Sequence, residues 1–444
     1  MNQSIRFLEQ IQALSREPLP QDVLARIRRS LQDYLAVTCA GTAFQREKLQ
    51  AYTAFLEPEP GDATAIGLGR KLALKEAVFL NGLNAHALDY DDGTNSGIIH
   101  LGSPVFSLLL PLGERFDCRL EKLLWAAVLG YEASYTLAVS IQPAHKLMGY
   151  HATGTCGVIG AALAASYMLD FTEEERFRVF GAACAAASGS LKVLDDGSEL
   201  KPYNVAKSAL LALTALQLGK AGFAVHPDPL GGQRGFLKMM TGQEDVQVKD
   251  TLLKGSYAVM KSYTKPYASC RYTHPAVEAA IAFHREGIKP EEIAGVHIKT
   301  YSLAVPGHDH THIAGSYSAK MSIPYSVAAG LMFGRAELEE FSEEQVGRED
   351  ILALTGKVRV EADAALSAAF PEQQTAVVEL ITTTGARLSR RVDFPKGEPE
   401  NPLSEEEFYQ RYQALMLYGG VSQEEADRLF QGVRRADIRV RELL

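Results

Sequence analysis

Cysteine is scarce in this chain, and the few cysteines are scattered. There are five in 444 residues, and no two of them form a Cys-x-x-Cys pair. A disulfide framework and a structural zinc site both need cysteines at close, paired spacings, so the sequence predicts neither. The five are Cys39, Cys118, Cys156, Cys184 and Cys270.

Long apolar runs and an excess of positive charge are also missing. No stretch approaches the ~20 uninterrupted apolar residues of a membrane span, and the N-terminal segment lacks the apolar run of a signal peptide. The formal net charge is −9, which argues against a nucleic-acid partner. We therefore expect a cytoplasmic protein with neither a membrane nor a nucleic-acid partner.

Apolar and small residues, by contrast, are abundant. Hydrophobic residues make up 46% of the chain, which is enough for a large core. Apolar residues recur at helical spacing over three segments: 21–38, 72–88 and 121–139. Glycine and alanine crowd residues 151–168, where helices would pack closely. Residues 1–262 are therefore predicted to form a large helical bundle domain.

The pattern changes near residue 263. Segments that alternate apolar and polar residues predict strands: 294–303, 356–362 and 375–394, the last a hairpin turning near Thr384-Gly385. Helices are predicted between them at Pro275–Glu286 and Ile323–Gly334. The fold class is thus mainly α with a smaller α+β domain. We place this smaller domain at 263–397, with a linker at 395–402, and expect residues 398–444 to complete the helical domain.

The segment NGLNAHALDYDDGTNSGIIHLGSP (81–104) is the most informative part of the chain. Asp89, Asp91 and Asp92 crowd together, and His100 follows a glycine-containing loop. Clustered carboxylates beside an imidazole are costly to bury unless their charge is used. We interpret the segment as a site of proton transfer, with an aspartate as base or orienting group and His100 as acid or anion ligand. A solvated acidic loop is the alternative.

Two further segments each carry one candidate residue. His151 precedes the glycine-spaced helix, where backbone amides favour an anion, although a capping histidine would have the same pattern. Lys201 lies in DDGSELKPYNVAK (195–207), before a proline and among apolar residues. Such a lysine would hold a carboxylate or move a proton, and a solvated turn lysine is the alternative.

The segment KPYASCRYTH (265–274) concentrates positive charge. Lys265, Arg271 and His274 lie within ten residues of one another, beside Cys270. On a loop, these side chains would form a cradle for an anion. A charged interdomain linker is the alternative.

Three alternating histidines, His308, His310 and His312, occur in HDHTH. On a strand they would share one face and could bind a metal. No glutamate or cysteine stands nearby at a telling spacing, so we favour a loop at the edge of a pocket over a metal site. Gly67-Leu68-Gly69 lacks the third glycine of a dinucleotide fingerprint, and no cofactor is predicted.

Several segments together resemble the MmgE/PrpD family, in the same order along nearly the whole chain. They are NGLNAHALDYDD (81–92), HLGSPV (100–105), GYHATGTCGVIGAALAA (149–165), LKPYNVAKSALLALTAL (200–216), KPYASCRYTHPAVEAA (265–280), SIPYSVAAGLMFG (322–334) and NPLS (401–404). This family includes 2-methylcitrate dehydratase, cis-aconitate decarboxylase and iminodisuccinate epimerase. The resemblance implies a homodimer whose active site lies between a helical domain and a lid and needs no metal.

The resemblance also implies roles for individual residues. Those implied to be catalytic are Asp89, His100, His151, Lys201 and Tyr325. Those expected to bind substrate are Thr94, Lys265, Cys270, Arg271 and His274. Two positions depart from the family pattern: Gly93 replaces a usual threonine, with Thr94 following it, and Cys270 replaces a histidine of the animal decarboxylases. Dehydration and epimerisation therefore stay open beside decarboxylation.

All three activities move a proton at a carbon next to a carboxylate, so the pocket must stabilise negative charge. We therefore predict a metal-independent lyase that acts by acid–base proton transfer on a small di- or tricarboxylate. The alternatives are an epimerase of an amino-dicarboxylate such as iminodisuccinate, and a non-catalytic or metal-dependent binding protein that uses residues 308–312.

Overall fold

The computed structural model describes residues 2–193, 198–251, 256–435 and 437–444. The start of the segment 195–207 falls outside these residues, whereas Lys201 is described. The α-helices are α1 (Gln3–Ser15), α2 (Gln21–Phe44), α3 (Arg46–Phe55), α4 (Leu74–Ala85), α5 (Gly102–Arg115), α6 (Leu120–Ile141), α7 (Ala144–Leu147), α8 (Ala152–Met168), α9 (Glu173–Ala186), α10 (Tyr203–Lys220), α11 (Phe236–Thr241), α12 (His274–Arg285), α13 (Ser316–Met321), α14 (Ile323–Phe333), α15 (Glu343–Val346), α16 (Glu349–Thr355), α17 (Ala364–Ala369), α18 (Glu405–Tyr418), α19 (Gln423–Gly432) and α20 (Val440–Leu443). The strands are β1 (Pro60–Ala65), β2 (Arg70–Leu72), β3 (Ile293–Thr300), β4 (Val358–Ala362), β5 (Ala376–Thr382) and β6 (Arg387–Val392).

Helix α8 lies at the centre of the helical part and packs against α5, α6, α9 and α10. All of its residues are buried, because its many glycines and alanines leave room for neighbours on every side. The closest approach is at Gly160. A Cβ atom built there would lie 1.9 Å from the Ser134 Oγ and 2.5 Å from the Gly130 carbonyl oxygen, both on α6.

We expect Gly160→Ala to lower the free energy of unfolding by about 1–3 kcal/mol, as overpacking of a core does. Denaturant unfolding followed by circular dichroism measures the effect. Gly347→Ala is the matched control, because the nearest atom to its Cβ would lie 3.6 Å away. An unchanged unfolding midpoint for Gly160→Ala would show that α6 and α8 can separate without cost.

A four-stranded sheet in the order β4-β3-β5-β6 forms the second part of the fold. Strand β3 pairs in parallel with β4 and antiparallel with β5, and β5 and β6 form the predicted hairpin, with Gly385 at φ +87° in its turn. Helix α12 packs against β5 and β6, and α14 against β4. A mainly helical protein with a smaller α+β part is therefore confirmed, while the division into two domains stays a prediction.

The C-terminal helices return to the helical part, where α18 packs against α2 and α20 against α5. Arg411 on α18 forms an ion pair with Asp33 on α2 and donates a hydrogen bond to the Tyr90 carbonyl oxygen at 2.9 Å. The end of the chain therefore supports the acidic segment. The capping boxes that begin α9 and α18 form at Thr172 and Ser404.

The helical part differs from the prediction at β1 and β2, which form a small antiparallel sheet. Gly67 and Gly69, at φ +76° and +65°, make the turn between these strands. The helical part also differs after α10, where α11 is the one α-helix among the described residues between 221 and 262. Elsewhere, helix α6 has the length and apolarity of a membrane span, but 89% of its most apolar window is buried within the protein. It is therefore a core helix of the bundle.

Candidate active site

One cavity, with a volume of about 80 Å³, gathers most of the predicted site residues. Seven of them line it: Asp89, Thr94, His100, His151, Lys201, Cys270 and Arg271. They come from both sides of the predicted domain boundary at 262/263, so residues distant in the chain meet at one place.

The acidic segment reaches this cavity through an unusual backbone. Helix α4 ends at Ala85, and Asp89 follows at φ +51°, a left-handed conformation that few residues other than glycine adopt. Ile98, which also lines the cavity, has φ +48°. The Tyr90 hydroxyl anchors the turn by donating to the Pro266 carbonyl oxygen at 2.6 Å. Backbone strain that the surrounding structure holds in place is often found at functional sites.

Asp89 forms ion pairs with two buried lysines. The Lys201 Nζ lies 2.5 Å from Asp89 Oδ1, and the Lys265 Nζ lies 3.3 Å from Oδ2 and donates to the Asp89 carbonyl oxygen at 2.5 Å. Burial would raise the pKa of Asp89, but the two ammonium groups outweigh it and hold the pKa well below its usual range. Burial would also lower the pKa of Lys201, yet Asp89 raises it. The two therefore form a fixed carboxylate–ammonium pair.

Three imidazoles surround this pair. Their ring centroids are 4.4 Å apart for His86 and His100, 5.9 Å for His86 and His151, and 6.4 Å for His100 and His151. His86 Nδ1 donates to Asp91 Oδ1 at 2.8 Å, and His100 Nδ1 donates to the Asp92 carbonyl oxygen at 2.9 Å. The second and third aspartates of the cluster therefore orient imidazoles. Burial lowers the pKa of His86 to about 4, so this ring is neutral near pH 7.

His151 differs from the other two imidazoles. It stands at the N-cap of α8, and its Nδ1 is buried with no hydrogen-bond partner in the described part of the chain. Burial, together with the Lys201 ammonium, lowers its pKa well below the usual range. His151 therefore presents a neutral imidazole, able to accept a proton, at the cavity wall.

Arg271 is less available to an anion than its sequence suggests. Its guanidinium donates to Glu398 Oε1 from both Nε and Nη2, the former at 3.1 Å, and stacks 4.7 Å from the centre of the Tyr263 ring. Glu398 belongs to the segment predicted as a linker, yet only 3% of it is exposed. His274 lies behind the guanidinium, with its Nδ1 accepting from Arg271 Nη1 at 2.7 Å. This buried ion pair positions Arg271 and neutralises its charge.

Tyr325 lies outside the site. It is on α14, where its ring packs near Phe341 and its hydroxyl donates to the Glu340 carbonyl oxygen at 2.7 Å. The helix turns this side chain toward the interior of its own α+β part. Tyr325 therefore does not line the cavity, and the geometry does not support the catalytic role implied for it.

We expect Tyr325→Phe to keep kcat within about twofold of the unmodified protein while lowering the free energy of unfolding by about 1–3 kcal/mol, the cost of an unpaired buried carbonyl. Thermal unfolding and steady-state kinetics on the same preparation separate the two effects. A large loss of kcat without loss of stability would return Tyr325 to the catalytic group.

The three histidines of residues 308–312 point to different places. His308 lines the cavity and its Nδ1 donates to the Met321 carbonyl oxygen at 2.7 Å, whereas His310 Nε2 donates to the Ser318 carbonyl oxygen at 3.1 Å and His312 is exposed. Burial lowers the pKa of His308 to about 3. Of the three histidines, His308 therefore reaches the cavity, while His310 and His312 do not line it.

Among the described residues, one group of side chains is close enough together to hold a metal ion, and it belongs to this same site: His86, Asp89, Asp91 and His100. Two ammonium groups lie beside Asp89, with Lys201 donating to Oδ1 and Lys265 3.3 Å from Oδ2, while His86 and the Ser103 hydroxyl donate to Asp91. A cation would have to displace two ammonium groups. The arrangement therefore favours an anion over a metal ion.

Gly93, the first departure from the family pattern, has a steric cause. A Cβ atom built on Gly93 would lie 2.5 Å from the Tyr263 hydroxyl and 2.6 Å from the Ile99 carbonyl oxygen. The next residue, Thr94, lines the cavity, and its buried hydroxyl has no partner among residues 2–193, 198–251, 256–435 and 437–444. The second departure, Cys270, lines the cavity as a thiol, because burial raises its pKa.

Sequence reasoning missed several polar groups at or beneath the cavity. They are His86, Gln142, Lys146, Tyr150, Tyr263, Tyr272, Gln374 and Lys320. His86 lies inside the quoted segment NGLNAHALDYDD and could have been found there. Lys320 had no such signal: it lies on α13, 1% exposed, donates to the Leu88 carbonyl oxygen at 3.2 Å, and has its pKa lowered to about 7 by burial.

Comparison with known proteins finds relatives along most of the chain. The MmgE/PrpD N-terminal domain matches residues 6–249, and the MmgE/PrpD C-terminal domain matches residues 267–434. The chain belongs to the MmgE/PrpD family. Among curated relatives of this family member, cis-aconitate decarboxylase of Mus musculus is 23% identical over 427 residues, covering 92% of this chain and 85% of the mouse protein. Cis-aconitate decarboxylase of Homo sapiens is 22% identical over 423 residues, covering 92% and 86%. The homodimer and the cytoplasmic location stay predictions.

Proposed function

We propose that this MmgE/PrpD protein is a lyase that acts on a small di- or tricarboxylate by acid–base proton transfer. The observation that carries the proposal is the meeting of the Asp89–Lys201 pair and the neutral His151 imidazole at one cavity. Two curated relatives, 22–23% identical to this chain, are named cis-aconitate decarboxylase, which supports a lyase reaction on a tricarboxylate.

Positive charge at the cavity suits a polyanionic substrate. Lys201 and Lys265 both form ion pairs with the Asp89 carboxylate, so two ammonium groups stand together beside the cavity. Most residues that line the cavity are buried, and an ammonium in such a place attracts a carboxylate more strongly than it would in bulk water. Lys201 lines the cavity and would contact the substrate carboxylate next to the reacting carbon.

His151 is the group best suited to take the proton from that carbon. It is neutral and lacks a competing described partner, whereas Lys201 stays protonated. In dehydration, the electrons of the broken C–H bond form the carbon–carbon double bond, and the hydroxyl on the next carbon leaves as water with a proton from His100. In decarboxylation, a C–C bond breaks instead, carbon dioxide leaves, and the electron pair left on the carbon skeleton takes up a proton from His100. Lys201 stabilises the developing charge in both reactions.

A panel of C4–C7 hydroxylated and unsaturated polycarboxylates tests the proposal. We expect at least one member to be converted, with formation of an alkene and water or release of carbon dioxide, as followed by NMR and by ultraviolet absorbance. Activity should survive treatment with a chelator, because the Lys201 and Lys265 ammonium groups stand beside Asp89 where a metal ion would have to bind. The absence of conversion across the panel by folded protein would contradict a lyase function.

An epimerase is the second candidate. It is favoured by the placement of His100 and His151 at one cavity with ring centroids 6.4 Å apart, since two proton-handling groups must flank one carbon. In deuterated water, an epimerase would introduce deuterium into a chiral amino-dicarboxylate without forming an alkene. A lyase would form the alkene.

A further inference from the structure

Lys146 lines the same cavity but stands apart from the Asp89 cluster. It is on the short helix α7, and its ammonium donates to the Tyr272 hydroxyl at 2.7 Å and to the Leu303 carbonyl oxygen at 3.0 Å. It also lies 4.1 Å from the centre of the Tyr272 ring. Both acceptors are neutral.

This sets Lys146 apart from the other cations at the cavity. Lys201 and Lys265 share Asp89, and Arg271 is paired with Glu398, whereas no carboxylate of the described residues forms an ion pair with Lys146. Burial lowers the pKa of Lys146 to about 8, so the ammonium form prevails at pH 7. A partly buried ammonium without a counter-charge is costly, and a bound anion would remove that cost.

Tyr272, which accepts a hydrogen bond from Lys146, is held in place by its own neighbours. Its ring meets the His308 ring edge-on at 5.2 Å and the Tyr301 ring at 5.7 Å. His308 is fixed in turn by its hydrogen bond to the Met321 carbonyl oxygen. The hydroxyl of Tyr272 therefore has a defined position beside the Lys146 ammonium, where it can donate to a carboxylate that replaces the Leu303 carbonyl as the ammonium's acceptor.

We propose that Lys146 and the Tyr272 hydroxyl form a second carboxylate subsite, which binds the substrate carboxylate remote from the reacting carbon while Lys201 binds the one next to it. The inference rests on the proposed function and specifies its substrate class as acids with at least two carboxylates. Lys146 belongs to residues 1–262 and Tyr272 to residues 263–397, so a carboxylate bound here would contact both parts of the fold.

Equilibrium binding of unreactive acids tests the subsite without relying on turnover. The probes are tricarballylate, with three carboxylates, and crotonate, with one, each titrated by calorimetry. We expect Lys146→Gln to weaken tricarballylate binding by about 10- to 100-fold, the effect of losing a charge-assisted hydrogen bond. The affinity of Lys146→Gln for crotonate should stay within about twofold of that of the unmodified protein. Lys146→Arg should restore part of the lost affinity, because a guanidinium also binds carboxylates.

Two further variants complete the test. Tyr272→Phe should weaken tricarballylate binding by a smaller factor, about threefold to tenfold for a neutral donor. Lys75→Gln, at an exposed lysine on α4, should change nothing. Equal tricarballylate affinity in Lys146→Gln, Tyr272→Phe and the unmodified protein would overturn the subsite and leave the lyase proposal intact. If the unmodified protein neither binds tricarballylate nor converts any polycarboxylate, the proposed function fails, and the subsite with it. Should Lys146→Gln not fold, Lys146→Arg and Tyr272→Phe decide the question.

Discussion

Replacing Lys201 by methionine should lower kcat/KM for the polycarboxylate substrate by about 10³-fold or more. Removal of one preorganised hydrogen-bond donor to a developing oxyanion costs about 10²–10³-fold in other enzymes. Lys201 also carries the charge nearest to Asp89, at 2.5 Å. Methionine keeps the length of the side chain, so the change removes the ammonium while largely preserving the packing.

The control for this variant is Lys207→Met on the same helix, α10. Lys207 is partly exposed and donates to the Ser188 hydroxyl at 3.1 Å, away from the cavity. Its replacement should keep kcat/KM within about twofold. Circular dichroism and thermal unfolding of both variants check the fold, because breaking a buried ion pair can itself cost about 3–5 kcal/mol. Near-normal turnover by folded Lys201→Met would remove Lys201 from the mechanism.

The second large effect is expected for His151→Ala, which should lower kcat by about 10²–10⁴-fold, the usual contribution of a general base. His151 accepts no hydrogen bond from the described residues at its Nδ1, so the variant breaks no described side-chain hydrogen bond. His297→Ala is the control, at an exposed position of strand β3. Retained activity in folded His151→Ala would assign the proton transfer to another group.

The pH dependence of kcat/KM gives an independent test of His151. A base works in its unprotonated form, which is present above its pKa. Because burial and Lys201 lower the pKa of His151 well below 6.5, this form persists as the pH falls through 6.5. We therefore expect no loss of kcat/KM between pH 7.5 and about 6.5 from this residue. The measurement is a pH profile of kcat/KM for the unmodified protein and for His151→Asn. A fall of kcat/KM centred near pH 6.5 in the unmodified protein, absent from His151→Asn, would contradict the lowered pKa of His151.

Much of this site was predictable because its residues lie in short segments with distinctive chemistry. Ionisable residues in apolar surroundings indicate a functional site, because burying them is otherwise costly. The sequence shows three such patterns: clustered aspartates, a lysine before a proline, and a histidine before a glycine-rich helix. The sequence could not show which charges cancel. Glu398 looked like part of a polar linker, yet it neutralises Arg271 across 127 residues of chain. Lys146 and Lys320 carried no local signal, since only tertiary packing buries them.

The fold was predictable for a related reason. Helical periodicity is local, so the predicted helical segments 21–38 and 121–139 lie within α2 and α6. The small β1–β2 sheet was missed because Pro60–Ala65 has little apolar alternation, and its pairing depends on packing against α4 and α5. The direction of Tyr325 was missed because the orientation of a helix about its own axis is set by its neighbours.

The contact of Arg411 with the Tyr90 carbonyl has a consequence for the order of events during synthesis. The loop that bears Asp89 emerges from the ribosome early, but its support on α18 is more than three hundred residues further along the chain. Domains generally begin to fold as they emerge. A nascent chain would therefore form its helical core well before Arg411 can contact the Tyr90 carbonyl. The Asp89 loop would then lack this support until α18 has been synthesised, and a product truncated before α18 would be compact but inactive.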